Sequence, residues 1–321
     1  MTKIIAELCQ NHNGDRGLLK KMIAEATTAG ADYVKGQVIY SEDITHRERF
    51  DDGFIENNGI VKAIKRPFGA EVERLSKLDL TEDDYKWFVD EVHKQGAKPM
   101  LTIFSRKRVD FVASLPWEER IVKVASYDCI SHPFLRELCD AFDHLVISVG
   151  GATDEEIKAC AEVIRKKGKK FTFLHCVTLY PNSLRVCNLA RMEFLRQFTD
   201  SVGWSDHTLV ERDGIKAVKI AISQGANMVE RHFTILGHNE TKDGPISVTP
   251  KLLKEMSDFA KLHLGEMQTK ARLIKEKEEI IGSAKRELTH IEALTMDYFR
   301  GRFASHVGSS PVYNWEDSPV K

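Results

Sequence analysis

Hydrophobic and polar positions along the chain follow two alternating periods. Short runs rich in Val, Ile and Phe recur, each followed by an amphipathic stretch of helical period and then by a Gly- or Lys-rich turn. The runs predict eight strands, over Ile4–Gln10, Tyr33–Ile39, Pro99–Phe104, Ile121–Ser126, Leu145–Gly150, Phe171–Val177, Val202–His207 and Met228–Thr234. Between them lie helix signals. Leu18, Leu19, Met22, Ile23 and Ala26 keep a 3.6-residue period that stops at Gly30. Thr81 with Asp84 and Thr153 with Glu156 have the spacing of capping boxes, and Gly96, Gly168 and Gly225 close helices ahead of the next strand. Strands alternating with helices in this way favour a closed parallel (β/α)8 TIM barrel of the α/β class over an open sheet, although periodicity alone leaves closure open.

Two segments break the repeat. Between Ser41 and Asp79 a polar stretch (Glu42, Asp43, His46, Arg47, Glu48, Arg49, then Asn57, Asn58, Gly59) stands where a helix is due, and we read it as a long loop over the barrel mouth. After Gly265 the chain turns strongly charged and then ends in a polar tail. This divides it into a catalytic barrel, 1–265, and a helical extension, 266–321. A complete barrel with such an appendage fits the 321 residues.

Composition narrows the function. No run approaches the apolar length of a bilayer span, and the start leads straight into a strand without the features of a secretory leader, so the expected location is cytoplasmic. With 47 basic and 48 acidic residues there is no long-range field to attract nucleic acid or a membrane surface, and any anionic ligand must be held by local groups. The six cysteines show no CxxC spacing and are expected to be reduced thiols.

In such barrels the working residues sit at the carboxyl ends of the strands. Lys35 and Lys123 lie there in apolar strand contexts, where an unpaired ammonium is costly. With Thr102, Ser126, Ser148 and Ser205 as hydroxyl donors, they could surround a phosphate and a carboxylate, the two charged ends of phosphoenolpyruvate. The plainer alternative is that each lysine pairs with a neighbouring carboxylate such as Glu7 or Glu230. His207 and His232 end consecutive strands, so closure would make their rings neighbours and suit them to a metal ion with positions left for water and substrate. A strand-end histidine standing alone is more often a hydrogen-bonded core residue.

Several strings resemble the sialic acid synthase family: Ile4-Ile5-Ala6-Glu7 with Asn11-His12-Asn13-Gly14, Gly30-Ala31-Asp32-Tyr33-Val34-Lys35-Gly36-Gln37, Leu174-His175-Cys176 with Tyr180-Pro181, Gly203-Trp204-Ser205-Asp206-His207-Thr208, and Glu230-Arg231-His232-Phe233-Thr234. That family includes N-acetylneuraminate, legionaminate and pseudaminate synthases, which condense phosphoenolpyruvate with an aldose. The resemblance implies that His207 and His232 hold Mn2+, or Mg2+ or Co2+ in its place, and that Lys35, Thr102, Lys123, Ser126, Ser148 and Ser205 hold phosphoenolpyruvate. It implies catalytic roles for Glu7, Asp128, Tyr180 and Asp243, sugar contacts for Gln37 and Thr178, and a homodimer whose partners are small molecules only.

The departures concern the acceptor. Family members usually carry a C-terminal antifreeze-like domain that supplies an arginine to the sugar's N-acyl group. Here only Tyr298–Ser305 resembles its opening, and Arg300 and Arg302 are either substitutes for that arginine or salt-bridging residues. Asp128 stands where glutamate is common, Thr178 where asparagine is common, and Cys9 where glycine is usual. In the related octulosonate-phosphate synthases a first-strand cysteine binds the metal; Cys9 is either such a ligand or inert packing. Two further readings stay open. One is an octulosonate- or heptulosonate-phosphate-type synthase, for whose second phosphate Arg66, Lys107 and Arg108 are the loop cations at hand. The other is a non-catalytic sugar-sensing barrel.

Overall fold

A computed structural model of the chain describes residues 1–320. Eight parallel strands close into a barrel in sequence order: β1 (Lys3–Glu7), β2 (Tyr33–Val38), β3 (Lys98–Ile103), β4 (Ile121–Val124), β5 (His144–Ser148), β6 (Lys170–Cys176), β7 (Val202–Asp206) and β8 (Met228–His232). Closure is made by β1, which pairs with β2 on one side and β8 on the other, Glu7 lying beside both Lys35 and His232. All eight sequence-predicted strands are present. The predicted carboxyl ends overrun the observed ones, Gln10 against Glu7 in β1 and Gly150 against Ser148 in β5, because the polar residues there leave the ladder to form the mouth.

Side chains of a strand alternate between faces, and here the alternation sorts structure from chemistry. Ile5, Tyr33, Met100, Ile121, Val146, Leu174 and Met228 pack together as the apolar floor of the barrel, one from each strand but β7. In β7 the corresponding position is Gly203, where a Cβ would collide with the Met228 carbonyl and Leu174. Two residues further along each strand stand Glu7, Lys35, Thr102, Lys123, Ser148, Cys176, Ser205 and Glu230, a buried polar band above that floor. The opposite parity faces outward: Ile4, Ala6, Val34, Leu101, Val122, Leu145, Phe173, Trp204 and Val229 join the helices' Leu19, Met22, Phe88, Leu138, Ile164 and Ile220 in the main core.

The helices start where local chemistry dictates. Thr81 and Thr153 form reciprocal capping boxes with Asp84 and Glu156, and Gly96 ends its helix in the left-handed region at φ 92°. No helix among the described residues is long and apolar enough to cross a membrane. All six cysteines are buried and free.

The segment read as a loop from Ser41 to Asp79 is more ordered than expected. It holds a small hairpin (Phe54–Ile55 with Val61–Ala63) and a helix, Phe68–Ser76. That helix escaped notice because only Leu75 of it is a fully buried apolar residue, packed with Ile39, Ile44 and Phe303. Phe303 belongs to the C-terminal extension, so part of the packing pattern is non-local.

The extension contains helices Leu264–Arg272, Lys277–Ile281 and His290–Phe299 and a hairpin, Ala304–Val307 with Ser310–Tyr313. The first helix already begins within the expected barrel domain. Its Met267 and Ala271 are buried, and it packs on the barrel's own helix Lys216–Ser223. The chain then crosses the carboxyl face of the barrel. Thr45 N donates to Arg302 O (3.0 Å), Lys107 N to Ser305 Oγ (2.8 Å) and Asn314 Nδ2 to Phe104 O (2.9 Å), while Phe299 stacks on Tyr127 at 5.0 Å.

Asp206 and Arg231, on the outward parity of β7 and β8, form an ion pair at 2.5 Å with both side chains wholly buried. The Arg231 guanidinium also donates to the Thr208 hydroxyl and carbonyl. Asp206→Ala would leave that guanidinium uncompensated and should cost about 3–5 kcal/mol. Urea unfolding measures this; a loss below about 1 kcal/mol would show that the pair does not brace the barrel.

Candidate active site

The polar band is a connected charge system. Lys35 Nζ forms an ion pair with Glu7, lies 3.6 Å from Glu230 Oε2 and donates to Thr102 Oγ1 at 3.0 Å. Ser205 Oγ donates to Glu230 Oε1 at 2.8 Å. Burial pulls the Lys35 ammonium down to about 7, against the pull of Glu230 and with Lys123 adding to the depression. Burial alone would raise the Glu230 carboxyl, but Lys123 and Lys35 outweigh it and hold the group well below its ordinary value. The plainer alternative therefore holds for Lys35, which is paired.

Lys123 differs. It is 3% exposed, and among the described residues no carboxylate lies within 4.0 Å of its ammonium. It donates to Ser148 Oγ at 2.8 Å and to the Val124 carbonyl at 3.0 Å. Ser126 stands close by, in contact with Cys176 Sγ at 3.1 Å. The direct hydrogen-bond partners of Lys123 are both neutral and Glu230 acts on it only from beyond 4.0 Å, so a buried ammonium in this setting is a ready partner for an anion.

Next to this band the two histidines do converge. The rings of His207 and His232 are 5.5 Å apart, and Tyr180, half exposed, lies over them at 4.2 and 6.3 Å. His207 Nδ1 is bonded to the Val177 carbonyl at 2.9 Å, which fixes that nitrogen as the donor and leaves Nε2 as the basic one. His232 Nδ1 is buried with no hydrogen-bond partner. Burial holds His232 neutral, down to about 3, and lowers His207 as well. Neutral imidazole is the ligating form.

Potential ligand atoms of Cys9, His232 and Asp243 all lie within 4.8 Å of one another. Cys9 Sγ donates to Asp243 Oδ2 at 2.8 Å, and Cys9 N donates to Glu7 Oε1 at 2.7 Å. Cys9 has φ +49°, a left-handed conformation suited to the glycine usual at that place and unfavourable for a cysteine. Sulfur, imidazole nitrogen and carboxylate oxygen in one cluster suit a transition-metal dication; His207, the other ligand that the strings imply, lies outside that cluster, its ring 5.5 Å from that of His232.

The remaining candidates spread around the rim. Gln37 is partly buried on the face of Lys35. Thr178 is fully buried beside Gly150 and Gly151, its hydroxyl without a hydrogen-bond partner. Asp128 receives hydrogen bonds from Asn314 Nδ2 (2.8 Å) and Ser131 Oγ (3.2 Å), and burial raises its carboxyl to about 6 in spite of them. Arg300 pairs with Glu156 at 2.8 Å and Arg302 with Glu71 at 2.7 Å, so both are salt-bridged, and Arg302 is buried rather than exposed. Lys107 and Arg108 are engaged by Glu42, and Arg108 also by Asp43, which removes them as free loop cations.

Residue patterns alone underrated Glu230 and Cys176. Strand parity would have found them, since Glu230 precedes His232 by two positions as Ser205 precedes His207 and Lys35 precedes Gln37. Parity likewise removes His175, which faces outward, contacts the Cys187 carbonyl at 2.8 Å and tilts against Trp204. The Asn11–Gly14 string is a brace: Asn11 donates to the Phe233 carbonyl at 2.9 Å, and His12 Nδ1 accepts from Gly14 N.

The chain is 27% identical over 290 residues to the N,N'-diacetyllegionaminic acid synthase of Legionella pneumophila, covering 88% of this chain and 74% of that one. It is 31% identical over 265 residues to the protein of the same name from Campylobacter jejuni, 79% and 73% of the two chains. The crystal structure of an N-acetylneuraminic acid synthetase from Leptospira borgpetersenii superposes with a TM-score of 0.68 at 26% identity, covering 92% of this chain and 90% of that one. With residues 22–269 matching it, the chain belongs to the NeuB family, whose named members here are sialic-acid-type synthases built on this barrel.

Proposed function

We propose that the protein joins phosphoenolpyruvate to an aldose, forming a 3-deoxy-2-ulosonic acid of the sialic or nonulosonic type and inorganic phosphate, a carbon–carbon bond-forming transferase reaction. The observation that carries this reading is the unpaired buried ammonium of Lys123, set among Ser148, Ser126 and the Lys35–Thr102 pair, beside two converging imidazoles.

In this reading Lys123, Ser126 and Ser148 take one charged end of phosphoenolpyruvate, and Lys35, Thr102 and Ser205 the other. Binding of the anion returns to Lys123 the counter-charge that its burial withholds. Cys9, His207, His232 and Asp243 would hold a divalent ion, with Mn2+ as first choice, and the ion would supply Lewis-acid polarisation of the acceptor aldehyde. Gln37 and Tyr180 at the rim position the aldose, with Thr178 shaping the wall. C3 of phosphoenolpyruvate attacks the aldehyde carbon, whose oxygen takes up a proton to become a hydroxyl, leaving an oxocarbenium at C2. Water adds there as Glu7, held by the Cys9 amide and Lys35, receives its proton. The resulting hemiketal phosphate breaks its C2–O bond, releasing phosphate toward the lysines and leaving a 2-keto acid. Asp128, whose carboxyl burial raises to about 6, would exchange a proton with an acceptor hydroxyl.

Two experiments test this. Incubation with phosphoenolpyruvate, Mn2+ and a panel of aldoses should give a mass-spectrometric product equal to both substrates plus water less phosphoric acid; no product with any aldose defeats the assignment. For the ion, Co2+ binding followed by absorption should show a thiolate-to-metal charge-transfer band that Cys9→Ser abolishes and Cys129→Ser leaves intact. A spectrum unchanged by Cys9→Ser would return Cys9 to packing.

A further inference from the structure

Directly after the C-terminal hairpin, one side chain reaches a carboxylate of the mouth. Asn314 is 2% exposed, and its amide nitrogen donates to the Phe104 carbonyl just beyond β3 (2.9 Å) and to Asp128 Oδ1 (2.8 Å). Two acceptors on one side of the amide settle which end is the nitrogen. The amide oxygen, Asn314 Oδ1, is buried without a hydrogen-bond partner. The backbone carbonyl of Asn314 accepts from Phe134 N at 3.3 Å, in the helix His132–Ala141. The residue is therefore fixed against both β3 and the helix that follows β4.

Asp128 ends the single turn Ser126–Asp128 that follows β4, two residues after Ser126. Both of its side-chain donors, Asn314 Nδ2 and Ser131 Oγ (3.2 Å), go to Oδ1; none among the described residues reaches Oδ2, and Asp128 is only partly buried. The carboxyl is thus held by one oxygen and open at the other, an arrangement that a ligand hydroxyl completes. Burial raises this carboxyl to about 6, against the hydrogen bonds of Asn314 and Ser131 and the charge of Arg300. Arg300 is itself engaged by Glu156 at 2.8 Å and by the Gly151 carbonyl at 3.2 Å, and burial keeps the neighbouring Cys129 thiol protonated. Two of the three groups that favour the ionised form belong to the extension.

Fastening the hairpin does not require this amide. Lys107 N donates to Ser305 Oγ at 2.8 Å, Arg106 to the Glu316 carbonyl at 2.6 Å, and Arg136 pairs with Asp317 at 2.5 Å, all without Asp128. An amide whose own oxygen is buried unsatisfied carries a desolvation cost that a mere anchor has no reason to bear. We propose that Asn314 is a positioning residue of the acceptor site: by holding Asp128 Oδ1 it leaves Oδ2 to accept a hydrogen bond from a hydroxyl of the aldose, so that the C-terminal segment completes the mouth of its own barrel. The inference rests on the synthase reading and adds a residue to its acceptor end.

The test follows the Asp128 carboxyl by NMR in the full chain, isotopically labelled at its aspartate carboxyls, with the signal identified by its loss in Asp128→Asn. A donor to the ionised carboxyl holds its midpoint down, so Asn314→Leu should raise the midpoint by about one pH unit. Ser305→Ala, which loosens the same hairpin without touching Asp128, should leave it in place. In turnover, Asn314→Leu should raise KM for the aldose about tenfold with KM for phosphoenolpyruvate unchanged, and should move the acidic limb of kcat/KM for the aldose to higher pH. Asn314→Ala gives the same reading should the leucine variant not fold. An unmoved midpoint, an effect reproduced by Ser305→Ala, or a moved midpoint beside unchanged aldose kinetics overturns the proposal. If no aldose turns over even in the unaltered protein, the synthase reading fails and takes the acceptor role with it, while the midpoint separately upholds or overturns the hold of Asn314 on Asp128.

Discussion

Keeping two ammonium ions inside a protein with only one of them in direct contact with a carboxylate is the constraint on which this structure turns. Lys123 sits on the interior face of β4, above an apolar floor and within a band of eight polar side chains. Its neighbour Lys35 shows the ordinary solution, pairing with Glu7 and lying within reach of Glu230. Lys123 is left with a hydroxyl and a carbonyl. A fold selected for stability alone would replace it with a hydrophobic residue, so the charge points to a ligand that completes the electrostatics.

Much of this was legible in the sequence because a closed parallel barrel repeats one local unit. Each strand had its own apolar run, and several helices a cap or closing glycine, so independent signals agreed. The positions of Lys35, Thr102, Lys123, Ser148 and Ser205 followed from strand ends, and strand parity explains why Ser205 and His207 face inward while Asp206 and His175 do not. What local pattern could not supply was pairing across the barrel. Whether Lys35 or Lys123 keeps a free charge depends on which side Glu7 and Glu230 approach from, a matter of register between β1, β2 and β8. The helix Phe68–Ser76 escaped for a related reason: its buried face is completed by Phe303, more than two hundred residues away in sequence. Tight anchoring of the C-terminal hairpin to the mouth, through Asn314 on Asp128 and Phe299 on Tyr127, was likewise invisible locally.

Cys9 joins the backbone argument to the chemical one. Its positive φ is a small local cost, and the thiol it displays meets Asp243 and lies within ligand distance of His232. Sequence could offer only the departure from glycine; the conformation turns that departure into a reason. The same face carries the C-terminal extension, fastened there through Arg302, Ser305 and Asn314.

The central claim is that Lys123 is charged for a ligand and not for the fold. Comparing the protein with Lys123→Met measures this directly, by calorimetric titration of phosphoenolpyruvate and by urea unfolding of each. The account predicts that the substitution weakens phosphoenolpyruvate binding by about a hundredfold or more while leaving stability equal or higher, since a buried charge is replaced by an apolar chain of similar length. Unchanged affinity, or a loss of several kcal/mol in stability with affinity retained, would contradict it.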